Sequence, residues 1–515
     1  MNRHDRHLAA QITAAAWREN LNGRRERPAP EGARDGAFNQ LDLPGGADED
    51  PVATLEAILG APVPEHLRAE LRSAREGLAL ARVRAANRNR HFAALAARAG
   101  AGSLAELVAA CTGDPHTTTR LLETLATEGH QLHPCARTRL GWEPADLARY
   151  DLETARPIRV RLVADRGGVL ARSGTDLREH PMLAGLDLPG PVLPVHPWQL
   201  EHRILPKYAD LFAAGRLAVL EATVPAWPTA AIRTLAGHGA PGFLKLALGI
   251  HVTSTRRDIS PNTAFLAPVL SAKLRSMDPA TGEEHRHALV ADVAGAWLPG
   301  ARDLTAIARA PLHESLAPGL VCVPATALAA ISPVTGVSLA AEYADWSGDA
   351  GRWMRDYARL WTGPILEKAR LGIGLETHLQ NSLVGFRGPQ PITPVTRDLG
   401  GARIHAPSAP FPLELPADSP VNAASMDQVR SKVAYTLFQN HFAPLAAALE
   451  RDCGLDAAGF WSDLADHIAA LPLPAADRDA YLAPRVPTKA LLTMRLHPGR
   501  EIATLVDNPL AKGRR

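Results

Sequence analysis

At Gly129 the hydrophobic period of the chain changes, and this constrains the fold more than any other feature. Before it, over residues 64–97, leucines and alanines recur at helical spacing among arginines and glutamates. Residues 5–21 read as a short amphipathic helix, 22–50 as an aperiodic loop, and helix resumes after Pro51. Asp114-Pro115 offers an N-cap followed by proline at the first helical position, with Gly129 predicted to close that helix. Beyond Gly129, residues 158–163, 192–195, 217–223 and 243–253 are short apolar or alternating runs bounded by Pro and Gly, the pattern of strands. Residues 345–369 and 426–470 return to helical spacing, with strand and turn between them. The chain therefore reads as α+β, with expected divisions at 1–128, 129–325 and 326–515.

Of 515 residues 46% are hydrophobic and 21% charged, enough to bury large cores, which excludes general disorder. A net charge of +2 excludes a nucleic-acid or membrane-surface protein defined by its overall field. Lysine occurs only at 207, 245, 273, 368, 432, 489 and 512, so each one stands out among the arginines. Cys111, Cys135, Cys322 and Cys453 lie far apart without CxxC spacing, arguing against a disulfide framework or a thiolate zinc site and for the reducing cytoplasm. The charged N-terminus carries no apolar stretch resembling a secretory signal. The uncharged run 315–341 is broken by Pro318, Pro324 and Pro333, so no membrane-spanning helix is expected there.

Residues 371–401, LGIGLETHLQNSLVGFRGPQPITPVTRDLGG, carry the densest chemistry. Two β-rich runs flank an RGPQP turn, predicting a hairpin. A turn centred between Pro389 and Gln390 sets Asn381 opposite Asp398, with Glu376 and His378 on alternate positions just upstream. Hard oxygen donors plus an imidazole suit magnesium carrying a nucleotide phosphate. The same residues would equally serve as a hydrogen-bond network around a turn.

Residues 243–263, FLKLALGIHVTSTRRDISPNT, read as one strand with Lys245, Ala247, Gly249, His251 and Thr253 on one face and Leu244, Leu246, Leu248, Ile250 and Val252 on the other. Small residues between a lysine and a threonine leave room for a ligand, and Ser254, Arg256 and Arg257 follow, fit to clamp phosphate or carboxylate. An ordinary edge strand ending in solvated arginines has the same pattern. His130 and His133 form an HxxH pair, but no third zinc ligand stands at a standard spacing. Proline after His133 and after His196 points to fixed turns.

Taken in order, GHQLHP at 129–134, HPWQ at 196–199, IRT at 232–234, KLALGIHVTSTRR at 245–257, ETHLQN at 376–381, RDLGG at 397–401 and KALLTMRL at 489–496 resemble the nonribosomal-peptide-synthetase-independent siderophore (NIS) synthetases, the family of the aerobactin synthetases. The resemblance implies a cupped-hand architecture of helical thumb, β-rich fingers and mixed α/β palm. It implies a cytoplasmic, homodimeric ligase that uses ATP and Mg2+ to adenylate a carboxylate, citrate or a citrate-like acid, and joins it to an amine or hydroxyl.

Carried over by position, Thr253, Ser254 and Arg257 match the phosphate-binding TSxxR pattern and Arg233 the arginine of SxRT. His378 matches the motif histidine near nucleotide and acyl group, and Glu376, Asn381 and Asp398 the magnesium and nucleotide set. Nucleotide contacts are also implied for His130 and His133, and charge neutralisation for Lys245. The chain departs from the pattern at Ala231, where SxRT has serine, and at Gln131, where GHPxHP has proline. Two roles are open to His378, orienting the acyl phosphate or taking a proton from the amine. A kinase-like phosphotransferase and a noncatalytic siderophore-binding protein are the competing readings. The first lacks a Gly-rich phosphate loop upstream, and the second has no need of a nucleotide and metal set.

Overall fold

A computed structural model of the protein describes residues 3–43, 50–111, 113–253, 255–277, 286–416 and 419–511. The N-terminal part is helical, led by Arg3–Arg18, Pro51–Leu59 and the 35-residue helix Glu65–Ala99. The helix Pro115–Glu123 starts as its sequence dictates: the Asp114 side chain accepts from Thr117 N at 3.0 Å, and Pro115 needs no donor at the first position. It ends at Glu123, and Gly129 (φ 78°) lies in the turns that follow.

The strand-like runs after Gly129 assemble into one antiparallel sheet of eight strands. Its order is Ala171–Gly174, Asp292–Trp297, Thr305–Arg309, Phe243–Leu246, Thr234–Gly237, Leu217–Pro228, Ile158–Asp165, Val192–Val195. The helix Pro261–Met277 crosses one face so closely that a Cβ on Gly295 would stand 2.1 Å from Ala264 O. Opposite it, Val160, Leu162, Leu244, Leu246 and their neighbours form a separate apolar core.

The run from residue 243 is not one strand. Phe243–Leu246 belongs to the large sheet, whereas Leu248–Val252 turns back on Thr255–Arg257 as a tight hairpin. The break follows from competition for Gly249 N, which donates to the Gln199 side-chain oxygen at 2.7 Å instead of to a sheet strand. The apolar face holds, since Leu244, Leu246, Leu248, Ile250 and Val252 are buried. The opposite face does not: Lys245 is buried and His251 is exposed.

A second sheet has four strands, Ala288–Val290, Gln390–Arg397, Ser382–Arg387 and Val321–Pro324, the first pair parallel. The predicted hairpin is its centre, but the register differs. The turn is Gly388-Pro389, with Gly388 at φ 54°, and a bulge falls between Gly385 and Phe386. Ser382 therefore pairs with Thr396, and continuing that register sets Arg397, not Asp398, across from Asn381. Helices pack around this sheet through an aromatic stack in which Tyr343 and Phe386 ring centres lie 4.3 Å apart. The helical stretch predicted over 345–369 is two helices, Leu339–Ser347 and Ala350–Arg370, separated at Gly348 (φ 83°).

The KALLTMRL segment closes the structure. Its helix Leu491–Leu496 is capped by Glu19, whose carboxylate accepts from Leu492 N at 2.6 Å and Thr493 N at 2.8 Å. Arg495 pairs with Glu70, so the C-terminal segment is bound to the first helices. All four cysteines are free thiols, and among the described residues no helix is long and apolar enough to cross a membrane.

Candidate active site

Motif residues distant in sequence meet where the two sheets face each other. Lys245, on the central strand of the large sheet, places Nζ 2.7 Å from Asp398 Oδ1, and its side chain is 3% exposed. Arg309 Nη2 approaches the other carboxylate oxygen at 3.6 Å while Arg309 Nε holds Asp292 at 2.8 Å. Asp398 has φ 69°, a left-handed conformation that aspartate tolerates, and accepts from Gly400 N at 3.1 Å. Burial pushes its carboxyl upward, but Lys245 and Arg309 prevail and hold it well below the usual range.

The short hairpin carries Thr253 and Arg257. Arg257 Nη2 donates to Thr253 Oγ1 at 3.1 Å, and Arg257 Nε is buried without a partner. Arg233 Nη1 ties itself to the same hairpin through Arg257 O at 2.9 Å and Asp258 O at 2.8 Å. Burial and then the neighbouring charge of Arg233 push the Arg257 guanidinium down to about 9, and burial lowers Lys245 and Arg233 as well. Thr253 (φ 56°) and Ile232 (φ 65°), beside Arg233, are β-branched residues in left-handed conformations. Backbone strain of that kind concentrates at functional sites. Ser254 lies outside the described residues.

From the other side come Glu376 and His378, on alternate positions as expected. Glu376 Oε1 pairs with Lys432 Nζ at 2.9 Å, and Glu376 Oε2 lies 3.8 Å from His378 Nε2. Asn381 Nδ2 donates to Glu376 Oε2 at 3.4 Å. Burial works against ionisation of Glu376, but Lys432 and His378 outweigh it and bring the carboxyl to about 2. Burial lowers the pKa of His378, with Glu376 opposing. The extended segment is gripped from behind by a π-helix, Ala434–Phe442. There Thr436 Oγ1 accepts from Thr377 N at 3.3 Å, and His441 Nδ1 donates to Thr377 O at 2.9 Å while its Nε2 accepts from Tyr357 OH at 2.7 Å.

His130 stands at the edge of the cleft, open to solvent on one side, with Nδ1 accepting from Leu132 N at 3.1 Å. Desolvation where the ring faces the cleft, and then the charges of His378, Arg18 and Arg257, lower its pKa. His133 is buried and uses Nδ1 to accept from Cys135 N, so the HxxH pair fixes a turn as well as lining the cleft. HPWQ is purely architectural. His196 caps a helix through Trp198 N, and Gln199 clamps Gly249 N and Asp303 O.

Three groups escaped the sequence reading, among them Arg309, one arginine in a sequence rich in them. Lys432 was signalled only by the scarcity of lysine. Glu123 gave no signal, yet it is 1% exposed and joins three parts of the fold. It pairs with Arg397 and accepts from Ala230 N at 2.6 Å. Arg397 donates to Gln380 O at 2.9 Å, and Gln380 Nε2 donates back to Ala230 O at 2.8 Å.

The magnesium donors have suitable chemistry, two carboxylates and an amide oxygen. Glu376 and Asp398 flank the same Gly400-Gly401 turn, where a Cβ on Gly401 would stand 1.9 Å from Glu376 Oε2. Each carboxylate is held by a lysine, and among the described residues no three His, Cys, Asp or Glu side chains gather as a metal cluster.

The model described as the IucA / IucC family matches residues 118–330. Staphyloferrin A synthase of Staphylococcus aureus (strain NCTC 8325 / PS 47) is 26% identical over 427 residues, 76% of this chain and 72% of that protein. The chain resembles the NIS synthetase family. A second model, described as a ferric iron reductase FhuF-like transporter, matches residues 351–504. D-ornithine--citrate ligase of the same S. aureus strain is 22% identical over 378 residues, 64% of this chain and 57% of that protein. Two solved structures share the fold. Petrobactin biosynthesis protein AsbB from Bacillus anthracis str. Sterne has a TM-score of 0.78 at 18% identity, over 98% of this chain and 95% of that one. ATP-bound aerobactin synthetase IucA from a hypervirulent pathotype of Klebsiella pneumoniae has 0.76 at 17% identity, over 99% and 100%.

Proposed function

We propose that this protein is an NIS synthetase, an ATP-dependent ligase of siderophore biosynthesis that adenylates citrate or a citrate-like acid and transfers the acyl group to an amine or hydroxyl. The observation that carries the reading is the set of cations in one cleft, buried Lys245 and Lys432 with half-buried Arg257 and Arg233, with Arg257 Nε unpaired among the described residues. Burial first, and then neighbouring positive charge, lower Arg257, Arg233 and Lys245, with Asp398 opposing, which is the electrostatic signature of a site that gains stability when a polyanion enters. Kinship with a citrate ligase and the likeness to an ATP-bound synthetase support acid and nucleotide as the two anions.

In this mechanism a carboxylate oxygen of the acid attacks the α-phosphorus, the bond from that phosphorus to the α,β-bridging oxygen breaks, and pyrophosphate leaves with the bonding electrons. Arg257, oriented by Thr253, clamps phosphate oxygens, while Lys245 and Arg233 neutralise charge on the departing group. The amine then attacks the acyl carbon, AMP leaves with the bonding electrons, and the amine loses a proton. His378, half-buried and with its pKa lowered, takes that proton, with Glu376 at 3.8 Å stabilising the cation formed. Magnesium arriving with the nucleotide would be held by Glu376, Asn381 and Asp398 and supplies further neutralisation of the phosphates.

The FhuF-like match does not favour a reductase here. A cysteine-ligated iron centre needs several thiolates, and residues 351–504 contain only Cys453. The deciding experiment is product analysis with ATP, citrate and a panel of amines. AMP and pyrophosphate in equal amounts support adenylation, whereas ADP and phosphate assign the protein to phosphoryl transfer.

A further inference from the structure

Beside the cleft lies a second cavity of about 220 Å3, lined by His7, Gln11, Arg18, Asp42, Glu128 and Gln131 among others. Its most informative wall is Arg18. That side chain is 4% exposed, and among the described residues its only hydrogen-bond partner is a neutral one, Gln439 Oε1 at 2.9 Å. Arg18 Nε is buried with no partner. The neighbouring carboxylate, Glu19, acts on Arg18 through its charge but spends its oxygens on capping Leu491–Leu496. A guanidinium taken out of water with no carboxylate bonded to it is costly, and proteins retain one where a ligand supplies the anion.

The remaining charges of the cavity are unevenly satisfied. Glu128 is neutralised by Arg82, whose Nε lies 3.1 Å away, and His7 Nε2 stands 3.8 Å from its other oxygen. Asp42, exposed and also lining the cavity, has no ion pair among the described residues. The cavity thus offers one buried cation and one open carboxylate. The wall formed by Glu128 and Gln131 continues into His130, whose ring feels both Arg18 and His378, so the cavity adjoins the cleft of the proposed ligase.

We infer that this cavity seats the acceptor amine, and that the acceptor is of the amino-acid class, its carboxylate held by Arg18 and an ammonium by Asp42. Resting on the ligase reading above, the inference narrows its nucleophile to an amine bearing a carboxylate and sets aside simple polyamines. Recognition of a carboxylate by arginine is charge-assisted and directional. Loss of it penalises the carboxylate-bearing acceptor alone.

The test compares matched pairs of diamines with and without a carboxylate, ornithine against putrescine and 2,3-diaminopropanoate against ethylenediamine, in wild type and Arg18→Gln. Citrate-dependent exchange of pyrophosphate into ATP, which needs no amine, is the control. The expected result is that wild type prefers the carboxylate-bearing member of each pair at least about tenfold in kcat/KM, a gap of about 1.4 kcal/mol. Arg18→Gln should erase the preference, through KM for the amine, with exchange unchanged and thermal stability equal or higher. Asp42→Asn should weaken the same acceptors.

A wild-type preference for carboxylate-free amines, or no turnover of any diamine while exchange proceeds, overturns the inference. So does loss of exchange in Arg18→Gln with a raised KM for citrate, because Arg18 would then hold the acid substrate. If wild type shows no exchange, it is the ligase reading that fails. Calorimetric binding of ornithine without nucleotide, present in wild type and absent in Arg18→Gln, then decides the inference separately.

Discussion

Replacing Asp398 by Asn tests the electrostatic logic of the cleft directly. The change keeps shape but removes the charge that sits 2.7 Å from Lys245 Nζ and 3.6 Å from Arg309 Nη2. Arg309 retains Asp292, whereas Lys245 is left buried without a carboxylate. Breaking a buried pair from one side costs about 3–5 kcal/mol. Asp398 is itself 18% exposed and water can enter in its place, so the lower end, about 3 kcal/mol, is expected. With an unfolding entropy of about 2 cal/mol/K per residue, that loss in a chain of 515 residues lowers Tm by about 3 °C.

Scanning fluorimetry or calorimetry in EDTA measures the shift. Inorganic pyrophosphate added to the same samples should raise Tm more in Asp398→Asn than in wild type, because it supplies the missing negative charge and no longer meets a carboxylate. An unchanged Tm, or a weaker response to pyrophosphate in the variant, would refute the account of Lys245 as a cation awaiting phosphate.

Arg257→Lys keeps a charge but loses the fork that spans Thr253 and the unpaired Nε direction, so kcat/KM for ATP should fall about 100-fold or more with circular dichroism unchanged; near-wild-type kinetics would return Arg257 to a surface role. Lys432→Met removes the chief partner that holds Glu376 at about 2, so the acid limb of kcat/KM should move to higher pH, and an unmoved limb would show that Glu376 does not govern it. His196 is pushed down to about 3 by burial, so it stays neutral in the fold while the unfolded residue takes up a proton below its ordinary value. Stability is therefore full above about pH 6.5 and is lost as pH falls toward 3, by about 2 kcal/mol at pH 5 from this residue. His196→Asn keeps the cap on Trp198 N and removes the titration, so urea melts at pH 7.5 and 5 should differ less than in wild type; an identical difference would exclude His196 as a source.

The sequence made the local part of this structure legible. Asp114-Pro115 announced a helix start, and the residues around the RGPQP turn announced a hairpin, because both signals depend on neighbours in the chain. The hairpin register was misjudged by the smallest possible step. A bulge after Gly385 and the placing of Gly388 at positive φ are choices between nearly equal turns. Of the residues in the cleft, those carried by motifs were visible in advance. Lys432 meets Glu376 across 56 positions and Glu123 meets Arg397 across 274, and neither stands in a local pattern that would reveal its partner. The π-helix behind Thr377 was equally invisible, because its extra residue per turn leaves the apolar spacing close to that of an ordinary helix.

Glu123 has a consequence for how the molecule comes apart. The chain has separate large apolar cores, and a protein of this size ordinarily melts in stages. Here one carboxylate ties the end of an N-terminal helix to the loop before Arg233 and to the strand before Asp398. Pulling any one of these away strands a buried ion, so the cores are expected to lose structure together in a single transition. The same tie governs hybrids between relatives. A segment exchanged without its share of Glu123, Ala230, Gln380 and Arg397 would bring its own fold intact and still misalign the cleft it borders.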